Sequence, residues 1–244
     1  MSGKRFSLDP LRALSYIGAC ALLAACPWSR KLAPLVSMPL APASRDSATA
    51  WASATLRTTP TLIRFRWRYQ DERVKYAGRG TARIAPPDSL RFDYVGPLGL
   101  GSGAAVVIGD SVAWADPEKN FRSLVPAVRM LWAAFSMVRP PAPDAAVLGA
   151  RLADSTTARR RRIWRFAQPE DTLDYVVTDS AGRESLLEAE WRRRGKMMAR
   201  SRSQLDTLAH ARVDFPEASA RFELTVVAVD TAAVMAPAIW RSRR

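Results

Sequence analysis

From Ile63 to Tyr69 the chain alternates Ile63, Phe65, Trp67 and Tyr69 with Arg64, Arg66 and Arg68. A period of two places the four large apolar groups on one face of an extended strand and the guanidinium groups on the other, whereas a helix would scatter both sets around its circumference. The fold must therefore contain a sheet with one greasy face and one charged face. The next segment keeps the rule, with Val74, Tyr76, Gly78, Gly80, Ala82 and Ile84 on one side and Lys75, Arg79, Thr81 and Arg83 on the other. Its two inward glycines leave room, either for a bend in the sheet or for close approach of a ligand.

Short apolar runs follow at 90–95, 104–108, 112–115 and 121–125, separated by Pro-Pro-Asp, Gly-Pro-Leu-Gly and Gly-Asp turns. Such spacing predicts an antiparallel meander. Pro126 stands at a helix start, and Val128, Leu131, Trp132, Phe135 and Val138 recur at steps of three and four up to Arg139-Pro140-Pro141. Met130, Ala133, Ala134 and Met137 make this helix apolar nearly all round, so it is buried or it covers something greasy. Its methionines suit a lid over a variable guest or ordinary core filling. A second short helix is expected from Asp144 to Leu152. Strands are expected again over 163–167, 172–178, 185–193, 196–202, 208–214 and 221–229.

Composition removes several chemistries. His210 is the single histidine and both cysteines, Cys20 and Cys26, lie near the N-terminus. No Cys/His zinc site and no Ser-His-Asp or Cys-His relay can be assembled, so neither a catalytic centre, a metal nor a cofactor is assigned. Lys and Arg number 37 against 23 Asp and Glu, a formal net charge of +14, and only five of the basic residues are Lys. An arginine excess of this kind, in a chain so rich in Ala, fits a composition bias better than a selected nucleic-acid surface.

Lys4, Arg5 and Arg12 precede an apolar run from Ala13 to Ala25. Thirteen residues at 1.5 Å each reach about 20 Å, short of the ~30 Å hydrocarbon core, which makes the run an export signal and not a spanning helix. Leu23-Ala24-Ala25-Cys26 resembles the lipobox of bacterial lipoproteins, which implies cleavage before Cys26 and acylation of that cysteine. Ile17-Gly18-Ala19-Cys20 is a rival lipobox. Pro27 stands where the inner-membrane retention signal of enteric lipoproteins has Asp, which implies the outer membrane. The Pro-, Ala- and Ser-rich stretch up to Pro60 reads as a tether, with a short helix near 47–56. Residues 1–25 are thus the leader, 26–60 the tether and 61–244 the folded body.

The order of basic-aromatic strands, then Ser89-Leu90-Arg91-Phe92-Asp93-Tyr94-Val95-Gly96-Pro97-Leu98-Gly99, then a strand pair and an apolar helix, resembles the LolA/LolB family of lipoprotein carriers and outer-membrane receptors. The likeness is one of pattern over 62–141, close at residue level only in Pro-Leu-Gly. It implies a mainly β fold with some α: an incomplete antiparallel barrel of about eleven strands covered by one or two helices. It further implies a non-enzymatic protein at the periplasmic side of the outer membrane, with lipoprotein acyl chains, outer-membrane lipid and a periplasmic LolA-like carrier as partners and no nucleic acid. The acyl-chain cavity falls to Ile63, Phe65, Trp67, Phe92, Tyr94, Trp132 and Phe135. Leu98 becomes the protruding leucine that enters the membrane, with Leu100 beside it, unless the turn folds Leu98 back into the core. The added Leu100-Gly101-Ser102-Gly103 lengthens that loop beyond the family pattern. An envelope structural or sensor lipoprotein, binding protein or glycolipid with the same fold, is the alternative.

Other motifs carry less. Gly99 to Ala104 matches a dinucleotide fingerprint on paper, but β-rich residues follow where a helix N-terminus is required. Ser102 lacks a neighbouring base. Glu184, Glu188 and Glu190 share one strand face, an ordinary surface arrangement. The clusters Arg159 to Arg162 and Arg192 to Arg194 suit lipid headgroups or acidic partners, or simply a solvated loop and strand end.

Overall fold

The computed structural model describes residues 32–97, 101–154, 159–180, 183–204 and 209–241. The leader, Cys20, Cys26, Leu98 and Leu100 lie outside the described residues.

Thirteen strands make one antiparallel sheet: β1 (Ala41–Pro42), β2 (Thr61–Gln70), β3 (Lys75–Ala85), β4 (Ser89–Val95), β5 (Ser102–Ile108), β6 (Ser111–Asp116), β7 (Ala146–Asp154), β8 (Arg159–Ala167), β9 (Asp171–Ser180), β10 (Arg183–Arg193), β11 (Lys196–Gln204), β12 (His210–Phe215) and β13 (Ala220–Asp230). Their order is β1-β7-β8-β9-β10-β11-β12-β13-β2-β3-β4-β5-β6. The two edges, β1 and β6, do not pair, so the barrel stays open. One chain reversal joins the halves: β13 returns to lie against β2, with Leu224 opposite Trp67 and Phe222 opposite Tyr69.

Period-two patterning survives in full on β2, where Ile63, Phe65, Trp67 and Tyr69 are buried and Arg64, Arg66 and Arg68 are exposed. The inner face receives three helices, α1 (Arg45–Thr55), α2 (Glu118–Leu124) and α3 (Met130–Ala134). Helix α1 is capped by the Ser44 hydroxyl, which accepts from Ser47 N at 3.2 Å, and it buries Ala48, Trp51 and Ala52 at steps of three and four. Trp51 stacks on Trp164 of β8, ring centroids 5.9 Å apart. One continuous core runs from these rings through α3 to Phe92 and Phe222.

Three local expectations give way. Residues 121–125 were assigned to a strand but belong mostly to α2, because Phe121 and Leu124 need a three-residue step to share a buried face and Glu118 pairs with Arg122 one turn on. The helix expected from Val128 to Val138 shrinks to five residues; Ser136 takes φ 60° and donates its hydroxyl to Gln204 O, a bond a continuing helix would forgo. Tertiary burial, not helical periodicity, explains the apolar character of this stretch. The helix expected over 144–152 is a strand, β7, whose register against β8 sets Gly149 opposite Trp164.

Residues 33–42 lie on the outer face and do contribute structure. Val36 is buried against Ile163 and Val176, forming a small second core. The Leu35 amide donates to Glu190 at 3.0 Å, and Arg200 donates to Ala33 O. This strap ends in β1, which pairs with β7.

Candidate functional site

The seven residues assigned to a cavity separate into two groups. Ile63, Phe65, Phe92, Trp132 and Phe135 are all at most 1% exposed and pack on one another: Phe65 lies 5.2 Å from Phe92 and 5.9 Å from Phe135 between ring centroids. Trp132 is pinned further by its indole N–H, which donates to Gly109 O at 2.7 Å. The space left by the inward glycines is filled, since Trp67 lies over Gly78 and Phe65 over Gly80. Those glycines serve ring packing.

Trp67 and Tyr94 behave differently. They are inner-face residues that reach a recess of about 340 Å³, shared with Tyr69 and Tyr76 from the sheet and Asn120, Ser123 and Leu124 from α2. Its rim is formed by Gly96, Pro97 and Gly101, the residues flanking the loop that carries Leu98 and Leu100. A volume near the lower end of the ~300–1,000 Å³ typical of small-molecule sites accommodates part of an apolar chain.

Hydrogen bonds fix the walls. Trp67 Nε1 donates to Arg79 O at 3.2 Å, and the Tyr69 hydroxyl donates to Asp71 Oδ2 at 3.2 Å. Asp71 Oδ1 accepts from the amides of Arg73 and Val74 at 2.7 and 2.8 Å, closing the β2–β3 hairpin. Burial, then the neighbouring Asp71 charge, pushes the Tyr69 hydroxyl up to about 12, so it stays a neutral donor. Burial raises Tyr94 as well, helped by Asp116. The Tyr94 hydroxyl is buried and has no hydrogen-bond partner among the described residues. An unpaired buried donor is costly unless a guest or water accepts from it. Tyr69, Tyr76 and Leu124 were not singled out by sequence; the parity of Tyr69 with Trp67 and of Tyr76 with Gly78 was the available signal.

A larger recess, about 510 Å³, lies at the other end of β3–β5. Its walls carry Asp88, Asp110, Asp171, Arg129 and Arg139, with ion-pair distances of 3.3 to 3.9 Å. Immersing hydrocarbon among charges forfeits their hydration, so size alone does not make this the apolar site. Among the described residues no group of three His, Cys, Asp or Glu side chains is arranged to hold a metal ion.

No family model and no curated protein sequence matches the chain. Among solved structures, a LolA superfamily protein of Nitrosomonas europaea superposes with a TM-score of 0.58 over 82% of this chain and 98% of that one, at 10% identity. The chain has a LolA-like fold. A lipoprotein-sorting protein domain of Vibrio parahaemolyticus covers 81% of this chain and 97% of its own at 6% identity, with a TM-score of 0.48. In this LolA-like sheet the recess sits beside the β4–β5 connection, and the inner wall of β2–β4 is completed by α2.

Proposed function

We propose that the protein is an outer-membrane lipoprotein, acylated at Cys26, that takes acyl chains of other lipoproteins into the Trp67–Tyr94 recess and helps seat them in the membrane. The observation carrying this reading is the meeting of an aromatic recess with both flanks of the Leu98–Leu100 loop. Each methylene that leaves water for such a site gains ~0.8 kcal/mol, and a bilayer offers about the same per methylene. Transfer between the two is nearly neutral and needs no nucleotide hydrolysis. The protein supplies a route: Leu98 and Leu100 dip into the bilayer beside the recess, each burying ~1.5–3 kcal/mol of apolar side chain. A periplasmic LolA-like carrier delivers the cargo.

Only the end of an acyl chain fits without displacing core rings, so deeper uptake requires α2 to move from Phe92, whose ring lies 6.1 Å from that of Phe121. A palmitoylated lipopeptide with a photoreactive chain terminus tests this directly. Cross-links to Tyr69, Tyr94 or Leu124 support the reading, and their absence, with label elsewhere, overturns it. Leu98→Glu is expected to keep the cross-link while stalling delivery to vesicles; normal delivery by that variant removes the insertion role.

A further inference from the structure

Most arginines on the outer face have a carboxylate. Asp93 serves Arg83 and Arg91, Asp174 serves Arg165, Glu190 serves Arg192 and Arg200, and Asp214 serves Arg212 and Arg221. Arg64, Arg66 and Arg79 form no ion pair among the described residues, and all three are exposed. Arg66 and Arg79 stand directly opposite each other on β2 and β3. Like charges in that position destabilise a sheet. The other neighbours are neutral: Arg64 faces Thr81 and Ala228, Arg66 faces Thr225, and Arg79 faces Val95.

The three guanidinium groups border a recess of about 360 Å³ that also touches Val95, Val227 and the already engaged Asp93. Val227 sits at a register shift of β13 and is 61% exposed, an apolar group held among cations. The strap covers the outer face at β8–β11, and the chain near Ile239 and Trp240 covers it at β4 and β6, where their carbonyls accept from Arg91 and Trp114. Between them β13, β2 and β3 are bare.

We infer that this bare window, Arg64, Arg66 and Arg79 around Val227, is a docking face for the phosphate headgroups of an anionic lipid bilayer. Guanidinium forks match phosphate oxygens, and an exposed valine among them meets the glycerol and acyl boundary beneath. Chain length agrees. Ala33 is bonded to Arg200 of β11, three strand spacings of about 4.8 Å from β2. Cys26 precedes Ala33 by seven residues, at most ~25 Å of extended chain. Nearness to the bilayer rests on the lipid-anchor reading above; the binding itself does not.

The test uses residues 26–244, the chain without its apolar leader, with Cys26→Ser so that no acyl anchor contributes, floated with vesicles of phosphatidylcholine alone or mixed with phosphatidylglycerol. Anionic vesicles are expected to capture the protein preferentially and less so as salt rises. Each arginine near such a surface contributes about fivefold, so Arg66→Gln with Arg79→Gln lowers capture about 25-fold. Should that pair melt early, Arg79→Gln alone carries the test at about fivefold. Arg122→Gln with Arg202→Gln, equal in charge but away from the window, is expected to change capture little. An equal loss in both pairs, or no preference for phosphatidylglycerol, overturns the proposal. Binding of inorganic phosphate in the absence of vesicles, lost in the Arg66→Gln, Arg79→Gln pair, together with no capture by anionic vesicles, also overturns it, in favour of a free-anion site. Failure here leaves the photo-cross-linking of the recess untouched, and the converse holds.

Discussion

Trp67 lies across Gly78 on the neighbouring strand: a Cβ placed on Gly78 would stand 2.7 Å from the indole and 2.1 Å from Val95 O. The same pairing recurs two residues on, where Phe65 covers Gly80, and two strands over, where Tyr94 of β4 covers Gly103 of β5. Large rings therefore face absent side chains across four strands, β2 to β5. Gly78→Ala is expected to destabilise the fold by about 1–3 kcal/mol, since the backbone carbonyl cannot yield as a flexible side chain would. Denaturant unfolding measures this, and an unchanged midpoint refutes the packing account. Because the displaced ring is a wall of the recess, the variant should also weaken lipopeptide cross-linking at Tyr94.

Tyr69 supplies a prediction at alkaline pH. Its hydroxyl, raised to about 12 by burial and by Asp71, loses its proton later than a tyrosine in the unfolded chain, near 10. The unfolded state therefore releases this proton first, and stability falls as pH rises from about 10 towards 12. Tyr69→Phe should remove that part of the slope. Urea unfolding followed across this range is decisive, and identical slopes for the two proteins would discard the assignment.

Asp171 works in the opposite direction. Burial alone would raise its carboxyl, but hydrogen bonds from Arg193 and Trp191 and the charge of Arg129 outweigh burial and hold it below the usual range. With the folded value depressed, its contribution is present above about pH 4 and disappears as pH falls through the folded value. Asp171→Asn should flatten the acid limb of the stability curve. The substitution also loosens Trp191, which is held between Arg129 and Arg193 at 5.1 and 5.0 Å, and the change in tryptophan fluorescence reports it.

Legibility in the sequence followed the physics of each segment. Period-two strands such as β2 and the second half of β3 were readable because one face is buried and the other wetter. The open antiparallel sheet with helices on one face followed from them and from the family pattern. Segments buried on every side were not readable: Pro126 to Val138 shows helical spacing, yet Phe135, Met137 and Val138 are buried in non-helical backbone. Residues 121–125 read as a short apolar run, and the helical marks of α2, the Phe121–Leu124 step and the Glu118–Arg122 pair, are too few to outweigh it. Parity put Trp67 and Tyr94 on the inner face but did not say which rings would pack and which would border open space. That division depends on α2, whose placement no short-range pattern encodes. The strap was unreadable for a further reason, since its burial arises from Ile163 and Val176 on the strands beneath it.

Glu190 is the residue whose loss should free that strap. Its side chain is 0% exposed, yet it lies on the outer face of β10, closed over by the chain near Leu35 and held by Arg192, Arg200 and the Leu35 amide. Glu190→Ala strands two guanidinium groups and one backbone donor beneath the strap, and removing one partner of a buried pair costs about 3–5 kcal/mol. Since Arg192 and Arg200 remain partly solvated, the lower figure is expected. The loss should appear first as local opening, because Val36 with Ile163 and Val176 forms only a small core. Hydrogen exchange at the Leu35 amide should accelerate while amides of β2 and β13 keep their protection. Uniform acceleration across the sheet would mean that the strap and the sheet open together, and Glu190 would then hold the whole fold and not its cover.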